Sequence, residues 1–135
     1  MIQVTCALIF QDNKVLITQN GEDSDHPFQW EFPGGKVKSG ESPQECIIRE
    51  IKEELELGIK VMNTLQPVEY DYKIKEIRLT PFVCSIIEGE LKLNEHADGK
   101  WVDFDELTKF DLAAADKKLV EFNYDYLRDC LDFIY

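Results

Sequence analysis

The apolar positions at the start of the chain predict a β-hairpin. Residues 2–10 and 14–19 are rich in β-branched and aromatic side chains, a composition typical of strands. Between these runs lie three polar residues that favour a turn: Gln11, Asp12 and Asn13. We therefore expect two antiparallel strands at the N-terminus.

Further strands are predicted in the second half of the chain. Residues 59–72 and 75–89 are again rich in β-branched and aromatic residues. Pro67 and Pro81 interrupt these runs. Because proline has no N–H to donate to a sheet, we expect both at strand edges or bulges. Residues 89–104 predict a short strand, a loop and another strand.

The signals for the first helix are unusually clear. Ser42, Pro43 and Glu45 are typical of a helix cap, a first helical residue and a third helical residue, which together predict a capping box. Apolar residues then recur at three- and four-residue spacing, which places them on one face of a helix. They are Ile47, Ile48, Ile51 and Leu55. Residues 104–110 predict one or two helical turns, and residues 115–135 predict an amphipathic helix.

These elements predict one α/β domain spanning residues 1–135, with a mixed sheet and helices on its faces. A chain of this length can bury a core without disulfides or metal. Its 44% hydrophobic and 31% charged residues are typical of a soluble globular protein.

Charge and composition narrow the classes of partner. A net charge of −12 would repel the phosphates of DNA or RNA, which argues against a nucleic-acid polymer. The longest apolar run, residues 7–10, is too short to span a membrane. The N-terminus lacks the basic segment of a secretory signal, so we expect a cytoplasmic protein. The cysteines are dispersed and are predicted to be reduced and buried: Cys6, Cys46, Cys84 and Cys130.

The first helix carries a high concentration of acidic residues. At about 100° per residue, Glu50, Glu53 and Glu54 share one arc beside the apolar face, with Arg49 as the adjacent cation. Like charges at this spacing destabilise a helix by roughly 0.2–0.5 kcal/mol per pair. One interpretation is a solvated acidic face. The other is a site for a hard divalent cation such as Mg²⁺, which prefers oxygen ligands and often binds carboxylates together with substrate phosphates.

The segment before the helix favours the second interpretation. Gly34 and Gly35 allow the backbone to approach a ligand closely, because neither carries a Cβ. Glu41 precedes the helix cap, from where its carboxylate can reach back towards the acidic cluster. Lys36 supplies a cation where a phosphate would lie. Together these residues indicate a metal-dependent phosphate site.

The spacing of these residues resembles the Nudix box, G-x5-E-x7-R-E-U-x-E-E-x-G-U, where U is a bulky aliphatic residue. Gly35, Glu41 and residues 49–54 match it. "WEFPGGK" before the box, "KWVDFDEL" near the end, "EH" followed by tryptophan, and "LAAAD" are similar to MutT-like nucleoside triphosphate pyrophosphohydrolases, especially the CTP pyrophosphohydrolase branch. The resemblance implies a Nudix-type α/β/α sandwich, with a central mixed β-sheet and a catalytic loop–helix–loop.

The resemblance implies a metal centre and a reaction. Glu50, Glu53 and Glu54 would bind Mg²⁺, or Mn²⁺ in its place, and the carbonyl of Gly34 would complete the metal sphere. Family members hydrolyse a nucleoside diphosphate linked to another group. In MutT-like members a metal-activated water attacks phosphorus and releases a nucleoside monophosphate and pyrophosphate. The glutamate that serves as base varies within the family, so all three remain candidates.

The resemblance also implies supporting and substrate-binding roles. Glu41 and Arg49 would hold the loop–helix–loop in shape, with Arg49 orienting a catalytic glutamate. Gly35 and Lys36 would lie against the substrate, with Lys36 contacting phosphate.

Two departures from the family pattern bear on function. The box has glycine where this chain has Glu56, and Gly58 comes two residues later. Either the helix runs about half a turn longer, or Glu56 and Leu57 bulge before the cap; in both cases we expect a surface role for Glu56 and retained activity. Relatives also commonly carry arginine after the second strand, where residues 18–20 here read Thr-Gln-Asn. Phosphate recognition is therefore expected to depend more on the metal and Lys36.

A few residues are candidates for contacts to the base or for further metal binding. The resemblance places Asp116 where relatives read the base, and a carboxylate accepts from an amino group such as that of cytosine or adenine. The alternative is a cap or first-turn residue of the last helix. Phe28 and Trp30 are candidates either for stacking on the base or for the core. Glu95, beside His96, is either an extra metal ligand or a solvated loop residue.

Three functions remain open at this point. The first is Mg²⁺-dependent hydrolysis of a nucleoside triphosphate, either to cleanse the nucleotide pool of damaged forms or to act on CTP-like pools. The second keeps the same helix for ADP-ribose or a dinucleoside polyphosphate. The third is a non-catalytic nucleotide sensor, which predicts loss of a box glutamate, and none is lost. A small nucleotide is the expected partner, bound by a monomer or a homodimer.

Overall fold

A mixed β-sheet is the centre of the structure, a computed structural model that describes the backbone of residues 1–134 and the side chains of residues 1–129. Within these residues the sheet has eight strands. They are β1 (Ile2–Gln11), β2 (Lys14–Gln19), β3 (Trp30–Glu31), β4 (Gly34–Lys36), β5 (Gly58–Thr64), β6 (Val68–Asp71), β7 (Glu76–Glu88) and β8 (Asp98–Asp103). The helices are α1 (Pro43–Leu55), a 3₁₀ helix (Phe104–Lys109), α2 (Ala114–Phe122) and α3 (Tyr124–Ile134).

The order of strands confirms the predicted mixed sheet. The main path runs β3-β2-β1-β7-β5; β4 pairs with β1, β6 with β7 and β8 with β2. The central pair, β1 and β7, is parallel, and the other pairs are antiparallel. The predicted hairpin of β1 and β2 is present. Its turn residues Asp12 and Asn13 have φ values of 53° and 65°, the left-handed pair that a two-residue hairpin turn requires.

Both faces of the sheet are covered by helices. Successive side chains of β1 point to opposite faces, so Leu8 and Phe10 pack with α2 and α3, whereas Ala7 and Ile9 pack with α1. All four side chains are 2% exposed or less. The predicted α/β/α arrangement is therefore confirmed, and the face under α1 is the one that carries the acidic helix.

The predicted start of α1 is confirmed in detail. Ser42 Oγ accepts from the N–H of Glu45 at 3.1 Å, and Glu45 Oε1 accepts from the N–H of Ser42 at 2.8 Å. Three of the four predicted apolar residues, Ile47, Ile51 and Leu55, are fully buried. Ile48 is 40% exposed, so it does not share the buried face of the other three, as the apolar spacing had predicted.

The predicted C-terminal helix is broken into two. It ends at Phe122 and restarts at Tyr124, with Asn123 between the two helices. The side chain of Asn123 accepts from the N–H of Gln66 at 3.2 Å and donates to the Gln66 carbonyl at 3.2 Å. Asparagine competes with helical backbone bonds in this way, and apolar periodicity alone does not reveal it.

Two strand predictions also need correction. Residues 91–94 are not a strand, because their backbone N–H groups bond to the end of α1. Pro81 lies inside the central strand β7, at neither an edge nor a bulge of the sheet. It falls where the pairing of β7 changes from β6, at Leu79, to β5, at Phe82, so the missing N–H interrupts no ladder there. Pro67 lies between β5 and β6.

No helix among the described residues is long and apolar enough to cross a membrane. Cys6, Cys46 and Cys84 are free buried thiols, as predicted. The side chain of Cys130 lies outside the described residues.

Candidate functional site

Arg49 of α1 gathers the acidic residues around it. Its guanidinium donates to both carboxylate oxygens of Glu41, at 2.7 and 3.0 Å, and to Glu50 at 3.0 Å. It also donates to Glu53 at 3.2 Å and to the carbonyl of Lys36 at 3.4 Å. These hydrogen bonds lower the pKa of Glu41 to about 2. The loop before α1 and the acidic face of the helix are thus joined at one cation.

Glu54 is the most buried of the clustered glutamates. Its side chain is 8% exposed, and its Oε2 has no hydrogen-bond partner among the described atoms. Burial, followed by the neighbouring carboxyl group of Glu50, raises the pKa of Glu54 to about 9. A buried carboxyl oxygen without a partner is costly, so it indicates a function that stability does not explain.

His96 lies over this carboxyl group. Its Nε2 is 3.7 Å from Glu54 Oε2 and 4.0 Å from Glu31 Oε1, and burial lowers the pKa of its imidazole. Nδ1 is buried with no partner among the described atoms. Glu95, beside it, is exposed, and its charge contributes to the raised pKa of Glu54. The loop over residues 95–96 therefore closes one side of the acidic cluster.

Gly35 leaves room for the carboxyl group of Glu50. A Cβ at Gly35 would collide with all three carboxyl atoms of Glu50, so glycine is required for this close approach. A Cβ at Gly34 would instead collide with the backbone of Thr5, the neighbouring strand. The two glycines of the predicted pair therefore have different roles: Gly34 packs the sheet and Gly35 positions a site carboxylate.

Gly35→Ala is expected to lower kcat/KM by about 10²-fold with little loss of stability, because the new Cβ displaces Glu50 while the backbone remains in place. Steady-state kinetics together with thermal unfolding will measure both effects. Gly21→Ala is the matched control, since a Cβ there meets nothing within 4 Å and should change neither quantity. Equal activity in both variants would show that the position of Glu50 does not matter.

Glu56 itself forms the left-handed end of α1. Its φ and ψ are 57° and 33°, and its N–H donates to the carbonyl of Lys52 at 3.1 Å. Neither alternative, a longer helix or a bulge, is therefore correct: the helix ends at Leu55, and Glu56 adopts the conformation usual for glycine. The residue after Glu56, Leu57, is buried in the core at 1% exposure. The chain must therefore turn sharply at Glu56 to bring Leu57 inside.

The loop before β8 completes this helix end. The N–H of Lys92 donates to the carbonyl of Leu55 at 3.0 Å, and the N–H of Asn94 donates to the carbonyl of Glu54 at 3.0 Å. The side-chain amide of Asn94 donates to the carbonyl of Glu53 at 2.9 Å. These bonds satisfy carbonyls that have no partner within the helix. They fix the backbone of two clustered glutamates and explain why Glu56 is tolerated.

Glu56→Gly is expected to raise the unfolding free energy by about 1 kcal/mol, because it removes the left-handed strain on a residue with a Cβ. For a chain of this size that corresponds to about 4 °C in Tm. Thermal unfolding of Glu56→Ala is the control: it keeps the Cβ and should gain nothing. A loss of stability in the glycine variant would contradict the assignment of strain to this residue.

The donor set fits a hard divalent cation. Glu50, Glu53 and Glu54 offer carboxylate oxygens on one face of α1, and the partnerless Oε2 of Glu54 lies among them. Among the described side chains, however, no three acidic, imidazole or thiol groups are already gathered as a complete set of ligands. Glu53, with its side chain 53% exposed, is turned towards Arg49 and would have to turn away to join an ion.

A cavity of about 210 Å³ lies next to the acidic cluster. Its lining includes Gly34, Gly35 and Lys36 from the loop that precedes α1. The remainder comes from both halves of the chain, and its members with an acidic, basic or aromatic side chain are His26, Glu31, Phe32, Tyr72, Lys75 and Asp116. The size suits one nucleobase and falls below that of a typical pocket for a drug-sized ligand.

Asp116 lies in this cavity. It is in the first turn of α2 but does not cap it; its Oδ2 accepts from the N–H of Phe32 at 2.8 Å. Burial, with the charge of Glu31 adding to it, raises the pKa of Asp116 well above its ordinary range. Asp116 is therefore a first-turn residue, as the alternative allowed, but not the cap, and its position in the cavity is also compatible with a contact to a ligand.

Glu31 is a site residue that sequence reasoning missed. Burial raises its pKa to about 7, and the Asn20 amide and the charge of Lys75 offset part of that shift. Its position beside the aromatic Trp30 suggested a strand and nothing more. Lys75 was missed too, because it is far in sequence from Gly35 and Lys36, with which it lines the cavity.

The two aromatic candidates lie outside the cavity lining. Trp30 is 9% exposed and packs against Phe110 with ring centroids 5.6 Å apart. Phe28 is 54% exposed, with φ of 61°. Trp30 is thus a core residue, and the aromatic rings beside the cavity come from Phe32 and Tyr72.

Residues 18–20, where the resemblance to the family led us to expect an arginine, hold the loop that follows them. Thr18 donates to the carbonyl of Glu31 at 3.3 Å, and Gln19 donates to that of Phe28 at 3.1 Å. Asn20 donates to the carbonyl of His26 at 3.2 Å. This segment shapes one side of the cavity, and Lys36 and Lys75 are the cations that line it.

The fold and this site define a Nudix protein. Residues 1–122 match the model of the NUDIX domain, so the chain belongs to the Nudix family. It is 33% identical to the CTP pyrophosphohydrolase of Escherichia coli over 121 residues, with 90% of each chain covered. It is 34% identical to the ADP-ribose pyrophosphatase of Methanocaldococcus jannaschii, covering 90% of this chain and 70% of that one.

A solved structure agrees with these relationships. The solution structure of the MutT protein of methicillin-resistant Staphylococcus aureus 252 has a TM-score of 0.74 and 36% identity, covering 93% of this chain and 96% of that one. The chain is therefore a Nudix hydrolase, an enzyme that acts on pyrophosphate bonds of nucleotides. The family generally uses a divalent metal.

Proposed function

We propose that this enzyme hydrolyses a nucleoside triphosphate to a nucleoside monophosphate and pyrophosphate, with Mg²⁺ as its metal and a cytosine-type base as its preferred ligand. The observation that carries this proposal is the position of the cavity. It is lined by two acids, the half-buried Glu31 and the buried Asp116, and its wall continues through Gly35 and Lys36 to the carboxylates of α1. A base in the cavity thus directs its phosphates towards the acidic cluster.

The residues of the acidic cluster have different proposed roles in catalysis. A bound Mg²⁺ would supply a water of lowered pKa and neutralise phosphate oxygens. Glu50, Glu53 and Glu54 provide its carboxylate ligands, and we assign the partnerless Oε2 of Glu54 to the ion or its water. Arg49 orients Glu50 and Glu53 through hydrogen bonds of 3.0 and 3.2 Å. The Gly34 carbonyl is a further proposed ligand.

The cations of the cavity replace the arginine that relatives carry. Lys36 and Lys75 both line it. Lys75 forms an ion pair of 3.1 Å with Asp25 and has a side chain 29% exposed, so its ammonium is accessible to a phosphate or sugar oxygen. Glu41 supports the position of Lys36 indirectly, because it pairs with Arg49, which donates to the carbonyl of Lys36.

The base preference rests on the paired acids. Phe32 occupies Oδ2 of Asp116, which leaves the second carboxyl oxygen and the neighbouring carboxyl group of Glu31 for a ligand. Carboxyl oxygens accept from an exocyclic amino group, which cytosine has and uracil lacks. The similarity to a CTP pyrophosphohydrolase supports the same choice. Modified or oxidised bases that retain the amino group fit as well.

Two other substrates compete with the triphosphate. ADP-ribose is favoured by the similarity to an ADP-ribose pyrophosphatase, and adenine also carries an amino group. A cavity of about 210 Å³ suits the base of either substrate, so the choice between them rests on the measurement below. The net charge of −12 supports a free nucleotide as ligand in preference to a nucleic-acid polymer.

The test compares kcat/KM for the four common nucleoside triphosphates, their deoxy forms, 5-methyl-dCTP, 8-oxo-dGTP, a dinucleoside polyphosphate and ADP-ribose, each with Mg²⁺ and with excess chelator. We expect cytosine triphosphates to have the highest values and the chelator to abolish turnover. A higher kcat/KM for ADP-ribose than for any triphosphate would contradict the proposal and favour an ADP-ribose pyrophosphatase. Saturable binding without any turnover would favour a sensor.

A further inference from the structure

We propose that the hydroxyl group of Tyr72 is a positioning element for base recognition: it caps helix α2 from outside and thereby holds Asp116 in the cavity. This inference rests on the proposed function, because it concerns how the base-reading residue is placed. Tyr72 matched no motif in the sequence. Its importance becomes visible only in the contacts of its ring and its hydroxyl group.

Helix α2 lacks a cap of its own. The first N–H groups of a helix have no partner within it, and a side chain at the cap position normally accepts from one of them. Here the cap residue is Ala113, which has no polar side chain. The N–H of Ala115 donates instead to Tyr72 Oη at 2.8 Å, from a residue that is 1% exposed. Without this hydroxyl group, the N–H would be buried unpaired.

The capped residue directly precedes Asp116. Asp116 Oδ2 accepts from the N–H of Phe32 at 2.8 Å, so a small displacement of the first turn of α2 moves the carboxyl group relative to the sheet. The segment before the helix is fixed by another bond, from the N–H of Ala113 to the carbonyl of Trp30 at 2.8 Å. Tyr72 therefore holds the turn itself, between that anchor and the body of the helix.

Tyr72 is well held in turn. Its ring lines the cavity and packs against His26 and Tyr70, with centroid distances of 4.5 and 4.7 Å. Its N–H donates to the carbonyl of Lys75 at 2.9 Å, which closes the turn between β6 and β7. Tyr72 thus contacts three segments: the loop over residues 20–29 through its ring, this turn through its backbone N–H, and α2 through its hydroxyl group. The hydroxyl oxygen accepts from Ala115, while the ring lines the cavity.

The test is Tyr72→Phe, which deletes the hydroxyl group and keeps the ring. The quantity to measure is the ratio of kcat/KM for CTP to that for UTP, with KM and kcat determined separately. We expect the ratio to fall about tenfold, the equivalent of one hydrogen bond, through a higher KM for CTP, while kcat stays within about twofold. Tyr70→Phe is the matched control, since Tyr70 packs on the same ring outside the cavity, and should leave the ratio unchanged.

A second substitution separates positioning from general stability. Ala113→Ser in the Tyr72→Phe background supplies a local cap that can accept from the first turn of α2, and we expect it to restore most of the ratio. If Tyr72→Phe fails to fold, the double variant takes its place, and a ratio near that of the native enzyme supports the proposal. A lowered Tm with an unchanged ratio would overturn it.

The outcome also distinguishes this inference from the proposed function. A native enzyme with no preference for CTP over UTP would overturn both. A native preference that Tyr72→Phe retains would overturn only the role of Tyr72. Equal losses for both nucleotides would likewise overturn it, because a structural role alone lowers both.

Discussion

Replacing Glu54 with glutamine is expected to lower kcat by about 10²–10⁴-fold and leave the fold intact. The glutamine has the same shape but cannot serve as an anionic ligand or accept a proton from water. Because burial and the neighbouring carboxyl group of Glu50 disfavour a charge on Glu54, a neutral amide there avoids the cost of that charge in the metal-free protein. Thermal unfolding of Glu54→Gln without metal should therefore give a Tm no lower than that of the native enzyme.

The matched control for this substitution is Glu56→Gln. It changes the same chemical group two residues further along, at an exposed position with only an ion pair of 4.0 Å to Lys92. Its kcat should stay within about twofold of native, since exposed ion pairs contribute little. If both variants kept full activity, the buried carboxylate would have no part in the reaction, and another glutamate of the cluster would have to replace it.

Replacing Asp116 with asparagine is expected to reduce the preference for CTP over UTP by about 10–100-fold. The asparagine oxygen can keep the hydrogen bond from Phe32, which turns the NH₂ group towards the ligand. In its ionised form the carboxyl group offers only acceptors, so the substitution then replaces an acceptor in the cavity with a donor, which suits the carbonyl of uracil. Competition between the two nucleotides in one reaction measures the change directly. An unchanged preference would remove Asp116 from base recognition.

The same substitution should alter how stability depends on pH. Burial raises the pKa of Asp116 above its unfolded value, so its protonated form is favoured in the folded state. The contribution is fully present below the unfolded pKa, near 3.8, and is lost as pH rises towards the folded value. Urea unfolding of Asp116→Asn should thus show a gain over native that grows with pH above 4. A gain that is constant with pH would contradict the raised pKa.

Local signals predicted α1 and its acidic face well, because their determinants lie within a few residues of one another. The capping box at Ser42 and Glu45, and the arc of Glu50, Glu53 and Glu54, depend on helix geometry alone. The resemblance to the family box implied that Glu41 and Arg49 hold the loop before α1 in shape, and the structure pairs the two side chains. These features needed no knowledge of which strands are neighbours.

The remainder depends on contacts between distant segments. Glu31 and Lys75 meet across a cavity that exists only after β1, β3 and the turn between β6 and β7 assemble. Asn123 interrupts the C-terminal helix because its side chain bonds to the backbone of Gln66. The end of α1 at Glu56 is held by backbone N–H groups of residues 92–94, which donate to the last carbonyls of the helix. The family box has glycine at that helix end, and its absence led us to expect a longer helix or a bulge; instead Glu56 takes the left-handed conformation itself.

The measurement that tests the central claim most directly is the identification of products from CTP. The enzyme is incubated with CTP and Mg²⁺, and CMP, CDP, phosphate and pyrophosphate are quantified over time, beside Glu54→Gln and a sample with excess chelator. The account predicts CMP and pyrophosphate in equal amounts, with turnover absent in both controls. CDP and phosphate as products, or equal turnover with chelator present, would contradict it.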